Sequence, residues 1–503
     1  MRSWLAAVFF VAFAPTPTFA QPVAPRTLEQ VIPEIDAVFA QYQRDAHVPG
    51  LIYGIVIDGE LAHTTAMGEL DIRTHRPVER DSLFRIASMS KAFTALAILK
   101  LRDEGRLQLD ALAETYVPEM RSWRYPTTDS PRIRVRDLLS HVGGLVTDDP
   151  WGDRQTPLSE EDFTRMLAEG VPFTRAPQTQ FEYSNFGYAL LGRIITNVSG
   201  RPYADYIEQE IMRPLGMTST GYDVFAAPQQ RRALGYRWEN ERWTREPDMA
   251  HGAFGAMGGV QTSAHDYARW VGFLLSAWPA RDGPETGPVR RSSVRELAQG
   301  LNFITTRSRP GLEGEEPCRI ALAYAMGFNL VRDCVLGTAM FHGGGYPGYG
   351  SYLLLLPEYG VGVFAFANRT YAGPAPPVTQ AALMLHRDGL LRRRELAVSD
   401  DLARTYAAAQ AMFEASSIEP GRRQLAMNFL MDRSAANWRR EFRRLKAEAG
   451  ECDTDDEIVA TGALAGQFLW RCERADIQGV LLLAPTNPPT IQALRLNVTL
   501  RGD

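Results

Sequence analysis

The chain has 503 residues, of which 45% are hydrophobic, and its formal net charge is -5. A chain of this length can build a large hydrophobic core and more than one domain. The small charge is spread along the sequence in both signs, which argues against nucleic acid as a partner. We therefore expect a globular protein that does not bind nucleic acid.

The first twenty residues, MRSWLAAVFFVAFAPTPTFA, have the pattern of a secretory signal peptide. Arg2 is followed by an apolar stretch from Trp4 to Ala14 and by a cleavage pattern at Thr18 to Ala20. The apolar stretch is too short to span a bilayer, and no later segment of the sequence is long and apolar enough to do so. We predict that residues 1–20 are removed and that the mature protein, without a transmembrane segment, is periplasmic or secreted.

The next part of the sequence predicts a sheet whose first and last strands enclose a helical region. A helical pattern from Val31 to Tyr42 precedes LIYGIVIDGELAHTTAMGEL, in which two apolar runs meet at Asp58-Gly59, a strong hairpin signal. The pattern is helical again from Ser88 to about Leu109. Short helices and Pro- and Gly-rich loops fill residues 110 to 300, and strand patterns return in ALAYAMGFNLV, SYLLLLPEYG and VGVFAFAN. We expect an α/β (α+β) architecture with helices inserted between the outer parts of one sheet.

A different unit begins near residue 398. Helical patterns run to about Ala449, and strand patterns such as VLLLAP follow. Leu494, Leu496, Val498 and Leu500 alternate strictly with other residues, which is typical of a half-buried strand. We assign residues 21–395 to a main domain and residues 396–503 to a small α+β appendage of unknown role.

One short motif suggests chemistry. In RIASMSK, Ser88 is followed three residues later by Lys91, and the whole chain has lysine only at Lys91, Lys100 and Lys446. A lysine can act as a base when its environment removes the proton, whereas arginine cannot. The alternative is a solvated surface lysine at the start of a helix. If Lys91 is a base near neutral pH, its pKa has to fall from about 10.4 to roughly 7–8.

Further motifs follow in order along the chain. They are YSN at 183–185 and HGGGYPGYGS at 342–351, with the segments LLSHVGGL, RPLGMTST and GAMGGVQTSAHDYARW around them. Together with VPGLIYGIVIDG and LFRIASMSKAFTALAIL, the ordered set resembles the β-lactamase-related serine hydrolases over about residues 30 to 385. This broad family includes class C β-lactamases, penicillin-binding proteins, D-aminopeptidases and esterases. The resemblance implies an antiparallel sheet flanked by helices, with a large helical insertion.

The resemblance also implies roles for individual residues. Ser88 would be the nucleophile, and either Lys91 or Tyr183 would be the base in acylation, a choice that the sequence leaves open. Asn185 would hold Lys91 and the substrate amide. Without the other motifs, we would interpret Tyr183 as a buried aromatic residue and Asn185 as an amide that caps a helix.

The HGGG segment is expected to form a strand beside Ser88. Its glycines, Gly343, Gly344 and Gly345, let a substrate approach the backbone closely. By the resemblance, the backbone N–H groups of Ser88 and Gly345 form the oxyanion hole.

His342 departs from the β-lactamase pattern, which has Lys-Thr-Gly at this place. A histidine of ordinary pKa, about 6.5, is mostly neutral at pH 7 and attracts a substrate carboxylate less than lysine does. We therefore expect hydrolysis of a small ester, amide or D-amino-acid peptide through an acyl-Ser88 intermediate. We also expect protonation of His342 near pH 6 to strengthen carboxylate binding. The alternatives are a D-Ala-D-Ala carboxypeptidase, a β-lactamase, or a non-catalytic penicillin-binding-type sensor or binding protein.

The four cysteines suggest disulfides, because the predicted compartment is oxidising. Local pairing would join Cys318 to Cys334 and Cys452 to Cys472, although the sequence does not fix the pairing. The spacing is not that of a zinc site, so neither a metal nor another cofactor is expected. His141 and His265 are assigned structural roles, and the sequence does not predict an oligomeric state.

Overall fold

The computed structural model describes residues 26–147 and 151–499, so the predicted signal peptide lies outside the described residues. Its largest element is a nine-stranded antiparallel sheet in the order β3-β2-β1-β13-β12-β11-β10-β9-β8. The strands of this sheet are β1 (Gly50–Ile57), β2 (Glu60–Asp71), β3 (Arg76–Pro77), β8 (Asn302–Arg309), β9 (Cys318–Tyr324), β10 (Asn329–Asp333), β11 (Gly337–Tyr346), β12 (Tyr349–Leu356) and β13 (Val361–Ala367).

Four short strands pair outside this sheet. They are β4 (Phe84–Arg85) with β7 (Gln261–Thr262), and β5 (Tyr236–Glu239) with β6 (Arg242–Arg245). The helices of the same part are α1 (Leu28–Asp45), α2 (Lys91–Asp103), α3 (Val135–Leu139), α4 (Trp151–Arg154), α5 (Glu160–Glu169), α6 (Asn185–Ser199), α7 (Tyr203–Ile207), α8 (Gly255–Gly258), α9 (Ala264–Leu275), α10 (Arg291–Glu296) and α11 (Ala375–Arg387).

The first and last strand regions share one sheet, as the sequence predicted, and in the structure β1 and β13 pair directly with each other. Leu51 in β1 lies opposite Ala367 in β13, and the antiparallel register continues to Ile57 opposite Val361. The predicted hairpin between β1 and β2 turns at Asp58 and Gly59, whose φ angles of 51° and 91° suit the tight hairpin turns that favour Asp-Gly. This pairing brings the two ends of the main part of the chain into one sheet.

Helices cover both faces of the sheet. One core contains residues of α2, α6 and α9 packed against side chains such as Ile52, Leu353 and Phe366. A second core contains residues of α1 and α11 packed against side chains such as Tyr53 and Val363 on the opposite face. Successive residues of a strand face opposite sides, so each strand contributes to both cores.

Two local differences from the sequence prediction have backbone causes. The helix expected to reach about Leu109 ends at Asp103, and Gly105 follows with a φ of 73°, a left-handed conformation that ends helices. The run ALAYAMGFNLV is not one strand. It divides into β9 and β10 at Gly327, which has a φ of 73°.

The C-terminal part of the chain has its own core. Its helices are α12 (Asp400–Glu414), α13 (Phe429–Asp432) and α14 (Ala435–Ala449), and its strands are β14 (Cys452–Asp453), β15 (Val459–Gly462), β16 (Ala465–Cys472), β17 (Asp476–Ala484) and β18 (Thr490–Thr499). These strands form a separate five-stranded sheet. Side chains such as Trp470 and Phe442 pack between the sheet and the helices. In the predicted final strand, Leu494 and Leu496 are buried, while Leu500 lies outside the described residues.

Two disulfides join the cysteines in the local pairs that the sequence favoured, Cys318–Cys334 and Cys452–Cys472. Asp333 lies near the first pair, and these three residues are the one His/Cys/Asp/Glu group with metal-like spacing in the described part of the chain. Both sulfurs are bonded to each other, so they are not thiolates that could bind a metal. Among the described residues, no helix has the length and hydropathy needed to cross a membrane.

Candidate active site

Ser88 lies in a tight turn directly before α2. The turn is a short 3-10 helix, Ala87–Ser90, and it starts at Ala87, whose φ of 49° is unusual for a residue other than glycine. The Ser90 hydroxyl donates to the Ala87 carbonyl at 2.7 Å and accepts from the Val260 N–H at 3.0 Å. The strained turn is therefore fixed by contacts from within and from a distant segment. We call residues 87–90 the nucleophile turn.

Lys91 is fully buried, so the surface-lysine alternative is wrong. Its Nζ lies 3.1 Å from the Ser88 Oγ, 2.7 Å from the Asn185 Oδ1 and 2.8 Å from the Met257 carbonyl oxygen. The amide and carbonyl oxygens can only accept hydrogen bonds, whereas the serine hydroxyl can also donate one. Ser88 is thus the partner among these three that can give a proton to this nitrogen.

The segment 183–185 lies on the other side of Lys91. Tyr183 is half-buried, and its ring centre is 4.9 Å from the Lys91 Nζ. Ser184 caps α6, because its hydroxyl accepts from the Gly187 N–H at 3.2 Å, and this places Asn185 at the first helical position. The predicted site residues Ser88, Lys91, Tyr183 and Asn185 therefore meet in one place.

His141 was assigned only a structural role, yet it contacts this group directly. Its ring centre is 4.3 Å from that of Tyr183, and its Nδ1 accepts from the Ser184 N–H at 3.1 Å. Burial, and to a smaller extent the charge of Lys91, lowers the pKa of His141 well below its usual value. The neutral ring then carries its proton on Nε2, which is buried and has no hydrogen-bond partner among the described residues. His141 is visible in the motif LLSHVGGL, but no local pattern of the sequence indicates its contact with Tyr183.

His342 is buried, and its ring has a defined orientation. Nδ1 donates to the Gly343 carbonyl at 2.6 Å, so Nε2 accepts from the Tyr324 hydroxyl at 3.1 Å. Burial first, and the nearby charge of Lys91 second, lowers the pKa of His342 to about 3. The expectation that His342 is protonated near pH 6 is therefore wrong, because an imidazolium here would lose its solvation and face a lysine.

The three glycines after His342 differ in their surroundings. A side chain on Gly344 would overlap the Ser351 hydroxyl and the Ile86 carbonyl, so this glycine lets β11 pack against the nucleophile turn. A Cβ on Gly343 would be 3.5 Å from the Tyr352 ring, an ordinary contact, and one on Gly345 would be 2.7 Å from the Tyr371 ring. Ser351 donates to the Ile86 carbonyl at 2.7 Å and ties the adjacent strand to the same turn.

This arrangement contains a buried hydroxyl, an amine within hydrogen-bonding distance, a phenol and a close strand backbone. In such an arrangement the hydroxyl oxygen can attack a carbonyl carbon, while the amine or the phenol accepts the hydroxyl proton and passes it on. Besides His141, two further contributors were not predicted from the sequence: the Met257 carbonyl and the Tyr324 hydroxyl. A backbone carbonyl has no sequence signal, and Tyr324 reaches the site only through the pairing of β9 with its neighbours.

Comparisons with known proteins concern the family and the fold of the chain. A family model described as Beta-lactamase matches residues 35–388. Protein flp of Staphylococcus aureus (strain COL) is 28% identical over 341 residues, which cover 67% of this chain and 62% of flp, less than two thirds of that relative. The D-alanyl-D-alanine-carboxypeptidase/endopeptidase AmpH of Escherichia coli (strain K12) is 27% identical over 351 residues, covering 67% of this chain and 86% of AmpH.

Two solved structures share the fold. The octameric penicillin-binding protein homologue from Pyrococcus abyssi has a TM-score of 0.60 and 20% identity, and the match covers 92% of this chain and 99% of that one. A class C β-lactamase has a TM-score of 0.57 and 19% identity, covering 74% of this chain and 99% of that one. The first match covers more of this chain than residues 1–395 contain, so it extends into the C-terminal part.

Proposed function

The chain belongs to the β-lactamase family, and from that premise we propose that it is a serine hydrolase that forms an acyl-Ser88 intermediate. Its substrate is a small ester, an amide or a peptide containing a D-amino acid. The observation that carries this proposal is the position of the Lys91 Nζ, 3.1 Å from the Ser88 Oγ and held by two oxygens that can only accept. A protein that only binds a ligand has no need for a buried lysine amine held beside a serine hydroxyl.

In the first step, the Ser88 Oγ attacks the carbonyl carbon of the substrate and its proton passes to Lys91 or to Tyr183. The carbonyl oxygen becomes an oxyanion, which the backbone N–H groups of Ser88 and Gly345 stabilise. The bond to the leaving alcohol or amine then breaks, and the leaving group takes up the proton. The contact of the Tyr183 ring with the Lys91 Nζ supports a proton path that includes both side chains.

In the second step, water attacks the acyl carbon and gives its proton to the same pair of groups. The Ser88 Oγ leaves and recovers a proton, and the acid product dissociates. In this scheme both steps use the same pair of proton-transferring side chains and the same oxyanion site, and the acyl intermediate divides one difficult reaction into two easier ones.

The substrate preference rests on His342. A neutral imidazole can bind a substrate through a hydrogen bond but does not supply the full charge of a lysine. With a pKa of about 3, the ring of His342 stays neutral throughout the physiological range. Substrates that need a cation for a free carboxylate are therefore disfavoured relative to neutral esters and amides.

A second candidate is the hydrolysis of peptides ending in D-Ala-D-Ala. The observation in its favour is the 27% identity to AmpH, whose name describes a D-alanyl-D-alanine-carboxypeptidase/endopeptidase. The two disulfides support a periplasmic or secreted location for either activity, because such bonds persist in oxidising compartments.

A substrate panel tests the proposal. Wild-type protein and Ser88→Ala are compared on p-nitrophenyl esters, D-aminoacyl anilides, D-Ala-D-Ala peptides and nitrocefin. We expect turnover of an ester or a D-aminoacyl compound that Ser88→Ala abolishes. Fastest turnover of D-Ala-D-Ala peptides selects the second candidate. Fastest turnover of nitrocefin contradicts the argument from His342, and no turnover by folded protein favours a binding or sensing role.

A further inference from the structure

A cavity of about 370 Å³ lies behind the proposed active site, on the other face of the large sheet. We call it the rear cavity. Strands β8 to β12 form its floor and α11 forms one wall. Phe341 lines the rear cavity, whereas His342, the next residue of β11, faces the active site. The alternation of side chains along a strand separates the two sites by one layer of backbone.

The body of the rear cavity is apolar. Its volume is within the range of about 300–1,000 Å³ that is typical of small-molecule pockets. Its apolar lining includes Ile320, Val331, Phe341, Leu354 and Leu383. Such a surface suits a hydrocarbon or aromatic group, and it leaves few positions where a strongly polar ligand could bind.

The polar groups of the rear cavity favour a negative charge at one end. Arg309 and Asp333 also line it, but they form an ion pair with contacts of 2.5 and 3.0 Å and so neutralise each other. Arg307, two residues earlier on β8, is exposed at the rim and makes no ion pair with a carboxylate of the described residues. This leaves one uncompensated positive charge at the entrance.

Tyr352 adds a second polar side chain to the lining of the rear cavity. It is half-buried in the wall, opposite Gly343 in the register of β11 and β12, and its ring lies 5.8 Å from that of Phe341. Its hydroxyl makes no hydrogen bond within the part of the chain that the structure describes; burial raises the pKa of Tyr352, and the positive charge of Arg307 opposes this to a smaller extent. A guanidinium and a phenol at the mouth of an apolar cavity can together bind a carboxylate.

We propose that the rear cavity is a second ligand site, which binds an amphipathic carboxylate with its hydrocarbon part inside and its head group at Arg307 and Tyr352. A ligand there touches Phe341 and Tyr352, on the strands that carry His342 and Ser351, without covering Ser88. Occupation of this site is therefore compatible with substrate in the active site. The proposal does not depend on which substrate the active site accepts.

Calorimetric titration of the whole protein with three ten-carbon probes tests this site. The probes are decanoate, decan-1-ol and decylamine, and the Ser88→Ala variant is used so that no covalent product forms. We expect decanoate to bind at least tenfold more tightly than either of the other probes. Arg307→Gln removes the charge at the rim, and we expect it to weaken decanoate at least tenfold while leaving decan-1-ol within twofold.

Two further variants locate the binding. Arg319→Gln is the matched control, because Arg319 is an exposed arginine on β9 beside Ile320 and faces the opposite side of the sheet. We expect it to leave decanoate binding within twofold. Ala339→Phe fills part of the rear cavity, and we expect it to weaken both decanoate and decan-1-ol.

Three results would overturn the proposal: no heat of binding at millimolar decanoate, equal affinity for decanoate and decylamine, or binding that Arg307→Gln and folded Ala339→Phe leave unchanged.

Discussion

Lys91 has the most demanding role of the residues at the proposed active site, because it must lie beside Ser88 and also exchange a proton. We expect Lys91→Arg to inactivate the enzyme almost as completely as Ser88→Ala, since a guanidinium keeps the charge but cannot give up its proton. The measurement is the acylation rate of each single variant and of the double variant. The effects should not add, because both residues serve one step. Near-normal turnover of Lys91→Arg would contradict the proposed role.

The burial of His342 predicts a dependence of stability on pH. In the unfolded chain its pKa is close to 6.5, and in the folded protein it is about 3, so the unfolded state binds more protons between these values. The contribution of neutral His342 to the free energy of unfolding is therefore fully present above pH 6.5, and it is lost as the pH falls below that value. The loss between pH 6.5 and 4.5 amounts to at most about 2–3 kcal/mol.

Urea unfolding at these two pH values checks this prediction. We expect His342→Gln to lose less stability on acidification than the wild type does. His265→Gln, at an exposed histidine of α9, is the control and should behave like the wild type. The same loss in His342→Gln as in the wild type would show that the folded protein does not suppress protonation of His342.

His141 is expected to position Tyr183 through the Ser184 N–H. His141→Phe keeps a ring against Tyr183 but removes the acceptor, whereas His141→Asn keeps an acceptor and tolerates the φ of 56° at this position. We expect the phenylalanine variant to lower kcat by about 10- to 100-fold, because misplacement of a catalytic group by about 1 Å can cost up to about 100-fold. The asparagine variant should retain most of the activity.

The pH profile of kcat distinguishes positioning from general destabilisation. A shifted profile in folded His141→Phe, restored in His141→Asn, is the expected result. If both variants unfold at the same urea concentration and have the same kcat and pH profile, the acceptor at this position has no role in catalysis.

At the scale of elements, the glycines of β11 determine how closely that strand approaches the nucleophile turn. A Cβ at Gly344 would overlap the Ile86 carbonyl, whereas one at Gly343 has room. We therefore expect Gly344→Ala to slow acylation of Ser88 by at least about 100-fold, as misplacement of catalytic groups by an ångström can do. Gly343→Ala should be close to the wild type, and acylation rates of the two variants measure the difference. Equal rates would contradict the close approach of β11.

The sequence predicted those elements that depend on local pattern. The hairpin at Asp58-Gly59, the strands β12 and β13 and the helix after Ser88 all have clear periodicity or turn residues. The sequence could not predict features that depend on packing between distant segments. The burial of His342, the contact of His141 with Tyr183 and the Met257 carbonyl beside Lys91 each require a neighbour far away in the chain.

At the scale of the whole molecule, the C-terminal part has a core of its own. Trp470, Phe442 and their neighbours pack separately from the two cores on the main sheet. We propose residues 396–503 as a separate domain, and we expect a chain of residues 21–395 to fold and to acylate Ser88 at a rate within about threefold of the full protein, because independent domains retain their own cores. Labelling rates of the two proteins check this. A folded truncated protein that cannot be acylated would show that the appendage completes the site.

The central claim is that Ser88 forms a covalent acyl intermediate, and the most direct test is labelling with a fluorophosphonate followed by peptide mass mapping. We predict that one equivalent of label attaches to the peptide containing Ser88, that Ser88→Ala prevents it, and that Lys91→Arg slows it strongly. Absence of label from Ser88 in protein shown to be folded, or labelling of another residue in both wild type and Ser88→Ala, would contradict the account.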